Sequence, residues 1–443
     1  MLEFFHEGDD MNFKIAAVAL AAAFTVSAQA QTEIQWWHSM TAVNGEWVND
    51  LAKEFNASQK EYKVIPTYKG SYAESMTAAV AAFRAGNAPN ILQVFEVGTA
   101  TMMASKGAIV PVGQVMKDAG YKFDPTVYVS AVAGYYTAPN GQMLSFPFNS
   151  STTIFYFNKD AFKAAGIDTN KPPTTWPEVA LAAAKLKASG HKCPLTIAWQ
   201  SWTQLESFSA WHNVEFASKS NGLGGMDARL KVDSPLHVRH IENLANMAKQ
   251  GLFIYKGREN VPEATFISGE CAMITTSAGF YGNVAKNAKF NYALATLPYY
   301  PDVPGAPQNT VIGGASLWVM AGKKPVEYKG VADFFNFISR PEVQSASHKR
   351  TGYLPITTAA YQLTEKSGFY KEKPGTDIAV QQMIRKVTDK SRGIRLGNYV
   401  QIRQIEDEEL EQVWSGKKSA KEALQAIVKR GNEQLERFEK ANK

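Results

Sequence analysis

Tyr72, Glu96, Ser151, Ser277, Gly314, Tyr353 and Arg403 are scattered along the chain, yet each falls at an expected strand end or in a crossing segment; Trp199 and Trp202 stand among them. Together they have the chemistry to hold a small anionic polyol. A guanidinium at Arg403 would neutralise a phosphate and grip it through two parallel hydrogen bonds. Serine and tyrosine hydroxyls, with a backbone N–H at Gly314, would donate to its remaining oxygens. Glycine there lets the backbone come close. Glu96 would repel the phosphate and is expected to accept from two hydroxyls of the polyol instead. A tryptophan face would pack on the carbon chain and exclude water.

Reaction chemistry is not written in the sequence. There is no GxSxG, HExxH or P-loop pattern. His237 and His240 share a helix face, but no third metal ligand is evident. His38, beside Trp36 and Trp37, reads as a packed, hydrogen-bonded histidine. The expectation is a binder without catalytic residue, metal or cofactor.

The elements that must position these residues start with strands at Ile34–Trp37, Tyr62–Thr67 and Asn90–Phe95. Helices alternate with them, one over about 44–56 and one opened by the capping box Ser71-x-x-Glu74. A β-α-β-α-β-α order with short connections predicts an α/β domain around a mostly parallel sheet. Ligands of such sheets sit beyond the carboxyl ends of the strands, where Tyr72 and Glu96 fall. Gln142–Gly166 then reads as two strands joined by a polar knot, Asn149-Ser150-Ser151-Thr152, with no clear turn. That is one long ribbon, able to leave one domain and enter another, and Pro147 suits such a crossing. Further strands are expected at Leu195–Trp199, Cys271–Thr276, Asn291–Leu297 and Ala315–Met320. A second capping box is Thr175-x-x-Glu178, Ser234-Pro235 opens another helix, and Leu424, Ile427, Val428, Leu435 and Phe438 stripe the last one.

At 443 residues the chain exceeds one compact core, so two domains are expected. A hydrophobic content of 45% and a charged content of 20% argue against disorder. The net charge of +6 is dispersed, which gives no nucleic-acid stripe. Met11–Lys14, the apolar run Ile15–Val26 and Ala28-Gln29-Ala30 read as a signal peptide over residues 1–30, with translation starting at Met11 and the mature chain near Gln31. Export would permit a bridge between the two cysteines, Cys193 and Cys271; two buried free thiols are the alternative.

The stretches PTYKGSY, NAPNILQVFEVGTATMMASKG, PFNSST, GECAMITTSAG, APQNTVIGGASLWVM, KRTGYLPIT and RLGNYVQIR, with WQSWTQLESFSAW and DEELEQVWSGKK, resemble the periplasmic solute-binding proteins of ABC transporters. Within them they resemble the branch that captures sn-glycerol 3-phosphate. The resemblance covers essentially the whole mature chain. It implies two α/β lobes, each with a central sheet, joined by crossing strands with the ligand in the cleft. The lobes would be 31–148 plus 279–351 and 149–278 plus 352–443. The implied ligand is sn-glycerol 3-phosphate or a related glycerophosphodiester, the implied partner a transmembrane permease, and the implied setting a periplasmic monomer. By motif the resemblance carries ligand contacts onto Tyr72, Glu96, Ser151, Ser277, Gly314, Tyr353 and Arg403. TTSAG departs slightly from the family's form, so Thr276 stands as an alternative to Ser277. Arg395 stands as an alternative to Arg403 for the phosphate. Other readings are a binder of neutral oligosaccharides, against which Arg403 argues, a glycerophosphocholine binder, and an extracytoplasmic hydrolase.

Overall fold

The computed structural model describes residues 30–443. Nearly all of the expected leader therefore lies outside the described residues, and no helix among them is long and apolar enough to cross a membrane.

Among the described residues ten strands form two sheets. They are β1 (Thr32–His38), β2 (Tyr62–Tyr68), β3 (Ile91–Phe95), β4 (Ile109–Val110), β5 (Phe146–Ser151), β6 (Thr153–Asn158), β7 (Cys193–Ile197), β8 (Cys271–Ser277), β9 (Tyr292–Ala295) and β10 (Gly313–Met320). The first sheet runs β2-β1-β3-β10-β4, with β5 also paired to β10. Its β1, β2 and β3 are parallel, as short β-α-β connections require. The helix Ala42–Ser58 between β1 and β2 turns Trp47, Leu51 and Phe55 inward. The second sheet runs β7-β8-β6-β9.

The crossing ribbon is continuous except at Thr152: β5 pairs with β10 in the first sheet, and β6 pairs with β8 and β9 in the second. The expected polar knot is thus no loop. Asn149, Ser150 and Ser151 are strand residues, fully buried with Thr152. Burying Asn149, Ser151 and Thr152 is tolerable because partners are supplied, whereas the Ser150 hydroxyl has none among the described residues. Gln93 Nε2 donates to Asn149 Oδ1 at 2.8 Å, and the Thr152 and Thr310 hydroxyls are bonded to each other.

The expected lobe division needs correction in two places. β9 falls within 279–351 but pairs with β6, so it belongs to the second sheet. The helix Thr358–Lys366 falls within 352–443 but is tied to the helix Pro341–Thr351. Thr357 Oγ1 donates to Gln344 Oε1 at 2.6 Å, and the Ser345 and Thr364 hydroxyls lie 2.8 Å apart. Pro341–Thr351 is in turn held to the first lobe, where Trp47 Nε1 donates to Ser347 Oγ at 2.8 Å.

Local signals in the sequence are realised. Both capping boxes, Ser71/Glu74 and Thr175/Glu178, are formed. Cys193 and Cys271 are register partners on the parallel strands β7 and β8 and are joined as a disulfide, with Cα atoms 4.5 Å apart.

Candidate functional site

The carboxyl ends of β1, β2 and β3 leave their sheet at Ser39, Tyr68 and Glu96. Together with Trp199, Trp202, Ser277, Gly314, Tyr353 and Arg403 they enclose a cavity of about 280 Å³. Tyr72, the first residue of the helix capped by Ser71, also lines it. Eight of the nine expected residues thus meet in one space. The ninth, Ser151, is buried directly behind, its Oγ 2.6 Å from Ser277 Oγ.

One part of the cavity, the neutral end, is lined by hydroxyls, with the acid Glu263 beside Tyr353. Ser277 ends β8 and accepts the Gly279 N–H at 3.0 Å. Tyr353 packs so close to Gly279 that a Cβ there would stand 2.4 Å from its ring. The Tyr353 hydroxyl receives an N–H from Asn44 at 3.4 Å, and among the described residues its own proton has only the Met40 sulfur, at 3.6 Å. The Tyr72 ring stacks on Phe95 with centroids 5.0 Å apart, and its hydroxyl accepts from Asn149 Nδ2 at 3.0 Å. Among the described residues the Tyr72 proton has no acceptor. Burial raises both phenols, so they stay protonated and able to donate. Gly314 lines the same space at φ +89°, and a Cβ there would fall 1.8 Å from the Asn149 carbonyl oxygen. The close approach that glycine permits is thus to β5.

The other end is charged. Arg403, on the helix Tyr399–Trp414, is buried. Its Nε and Nη2 each donate to Glu206 at 2.9 Å, and Nη2 also donates to Glu96 at 2.6 Å. Burial opposes the guanidinium charge, but Glu206 and Glu96 outweigh it, so its pKa stands well above the usual value. Arg403 is expected from the sequence to grip a phosphate through two parallel bonds; here its Nε–Nη2 edge is clasped by a carboxylate. Arg395 does not line the cavity; its Nη2 donates to the carbonyls of Gly134 and Tyr135 at 2.8 and 2.5 Å. Thr276 does not line the cavity either; its hydroxyl donates to Glu263 at 2.7 Å, and Ser277 is the one of the two that lines it.

Glu206 was not anticipated. It sits on a one-turn π-helix, Trp202–Glu206, which also delivers Trp202. The signal was present as a lone acid inside the aromatic stretch WQSWTQLESFSAW, because a buried carboxylate requires a cation. Burial lifts its pKa to about 7 despite Arg403. Trp199 holds a left-handed conformation, φ +50°, as an over-determined site residue can. Glu74, Glu259 and Glu263 add acidic groups to the wall. His38 accepts from the Met40 N–H at 3.2 Å and is lowered by burial to about 4. His237 is held by Ser209 and Ser234, and His240 by Gln204 and Tyr300, so both are satisfied inside the second lobe.

Residues 50–377 match the family model described as bacterial extracellular solute-binding protein. The chain is 52% identical over 430 residues to the sn-glycerol-3-phosphate-binding periplasmic protein UgpB of Pectobacterium atrosepticum, covering 97% of both chains. It is 54% identical over 428 residues to the protein of that name from Salmonella paratyphi A, covering 96% of this chain and 98% of the relative. Its backbone is similar to the crystal structure of UgpB from Mycobacterium tuberculosis in complex with glycerophosphocholine. There the TM-score is 0.77 at 20% identity, over 92% of this chain and 99% of the other.

Proposed function

The chain belongs to the bacterial extracellular solute-binding proteins, and on that premise we propose that it is the periplasmic capture component of an ABC importer. It takes sn-glycerol 3-phosphate between its lobes and hands it to the membrane permease. The observation that supports this ligand is the convergence of both lobes on one cavity with a neutral donor end and a charged end.

The phosphoryl group sits at the neutral end, where Tyr72, Tyr353 and the Ser151–Ser277 pair have hydroxyl protons to give. At the charged end, Glu96 accepts from the glycerol hydroxyls while its bond to Arg403 holds it in place. Two carboxylates around one guanidinium repel a phosphate and suit hydroxyls. Trp199 and Trp202 cover the carbon chain. Glu96 follows β3 of the first sheet, whereas Arg403 and Glu206 belong to the second lobe. Their contact spans the cleft, so closure and binding are coupled. The lobes are taken as 31–148 plus 279–351 and 149–278 plus 352–443, amended for β9 and for Thr358–Lys366.

A second ligand class is favoured by one feature. Glu74 and Glu259 line the cavity, and a glycerophosphodiester with a cationic head group would bring a charge for them to meet. Calorimetric titration tests both. Glycerol 3-phosphate is expected to bind, with or without glycerophosphocholine, while glycerol and maltose do not. Tight maltose binding would favour a neutral-sugar site. Release of product from either ester would replace capture with catalysis.

A further inference from the structure

Glu263 opens the short helix Glu263–Ile267 and lines the cavity beside Ser277 and Tyr353. Its one hydrogen bond among the described residues is accepted from Thr276 Oγ1 at 2.7 Å. Among the described residues no cation is paired with it. Lys286, on the helix Tyr281–Asn287 packed against it, is bonded to Glu46, and Lys256 to Glu270. Tyr156, on β6, spends its proton on the carbonyls of Ser277 and Ala278, each 3.2 Å away. Tyr353 faces Glu263 as a second neutral phenol. Glu259 and Asn260 complete the loop before it.

An ionised carboxylate in this position would stand uncompensated in the wall beside the phosphoryl end of the ligand. The same group with a proton is a donor. Resting on the ligand reading above, we infer that Glu263 is a ligand-facing neutral acid whose carboxyl group donates a hydrogen bond to a phosphoryl oxygen of the bound ester. This adds to the hydroxyl set a donor that works only while it is protonated. It makes Glu263 a specificity residue, favouring oxygens that accept over groups that can only donate. Burial supports this by lifting the carboxyl to about 8, against the opposing pull of the Thr276 hydroxyl.

The consequence is a pH dependence with a definite sign. Below that value the acid is neutral and the ester binds fully. Above it, binding must take up a proton, and affinity falls by about tenfold per pH unit. Titration of the mature protein with glycerophosphocholine and with glycerol 3-phosphate, from neutral to about pH 9.5, measures this slope. The phosphodiester does not change charge over that range, so its slope belongs to the protein. Glu263→Gln keeps a donor at this position, weaker than a carboxylic acid and unable to titrate; it is expected to bind more weakly than the wild type at neutral pH and to lose the slope. Thr276→Val removes a bond that favours the ionised form and is expected to move the slope to higher pH. A flat wild-type profile, or a Glu263→Gln slope equal to that of the wild type, would overturn the assignment while leaving the ligand reading intact. Binding of neither ester at any pH would overturn both.

Discussion

At the neutral end of the cavity the polar groups are hydroxyls whose protons are largely uncommitted. At the charged end the strong donors are already engaged, with Arg403 bonded to Glu206 and Glu96. The acid excess continues behind Arg403. Burial holds Glu406 well above the ordinary carboxylate range and raises Asp407 to about 6. An arginine in a cleft invites the assumption that it receives the anion. Here the arginine is held by carboxylates, and the placement proposed above gives the phosphate to groups of no net charge. A dianion needs donors more than it needs a counter-ion once those donors are fixed and water is excluded.

The largest effect should come from Arg403→Ala. It strips the cation from two buried carboxylates, and breaking such a pair costs about 3–5 kcal/mol of stability. The melting temperature should drop, and affinity for glycerol 3-phosphate should fall about a hundredfold or more. A variant that melts and binds normally would mean that the charged end is idle. Ser277→Ala should act more narrowly. It removes one hydroxyl from the neutral end, and a hydrogen bond to a charged group is worth about 1.5–3 kcal/mol, or roughly tenfold to a hundredfold in affinity. Glycerol 3-phosphate and inorganic phosphate should weaken together, with melting near that of the wild type. Glu96→Gln should do least. It keeps an acceptor for the glycerol hydroxyls but loses the charge, so glycerol 3-phosphate should weaken only about a few-fold and inorganic phosphate not at all. Equal losses for the two ligands would put the phosphate at Glu96 and erase the distinction between the ends.

Much of this was legible in the sequence because strand order is local information. The alternation that placed β1, β2 and β3 also placed Tyr72 and Glu96 at their ends, and the unbroken ribbon at 146–158 announced the crossing. Position along the chain did not reveal how charges combine. Arg403 was visible as a cation, but its pairing with Glu206 depends on a π-helical turn, which leaves no periodic mark in five residues. Glu74 was read through its capping box and Glu263 not at all, since a helix of five residues offers too little pattern to orient a side chain. The misplaced β9 has the same cause. Four residues form a strand only because β6 has an edge to offer, and that edge lies more than a hundred positions earlier.

A crystal structure of the protein with glycerol 3-phosphate would show where the phosphorus atom sits between the two ends. The phosphoryl oxygens should lie within hydrogen-bond distance of the Ser277, Tyr72 and Tyr353 hydroxyls, with the glycerol hydroxyls on Glu96. A phosphoryl group seated instead on the Arg403 guanidinium, with Glu206 displaced from it, would reverse the assignment of the two ends.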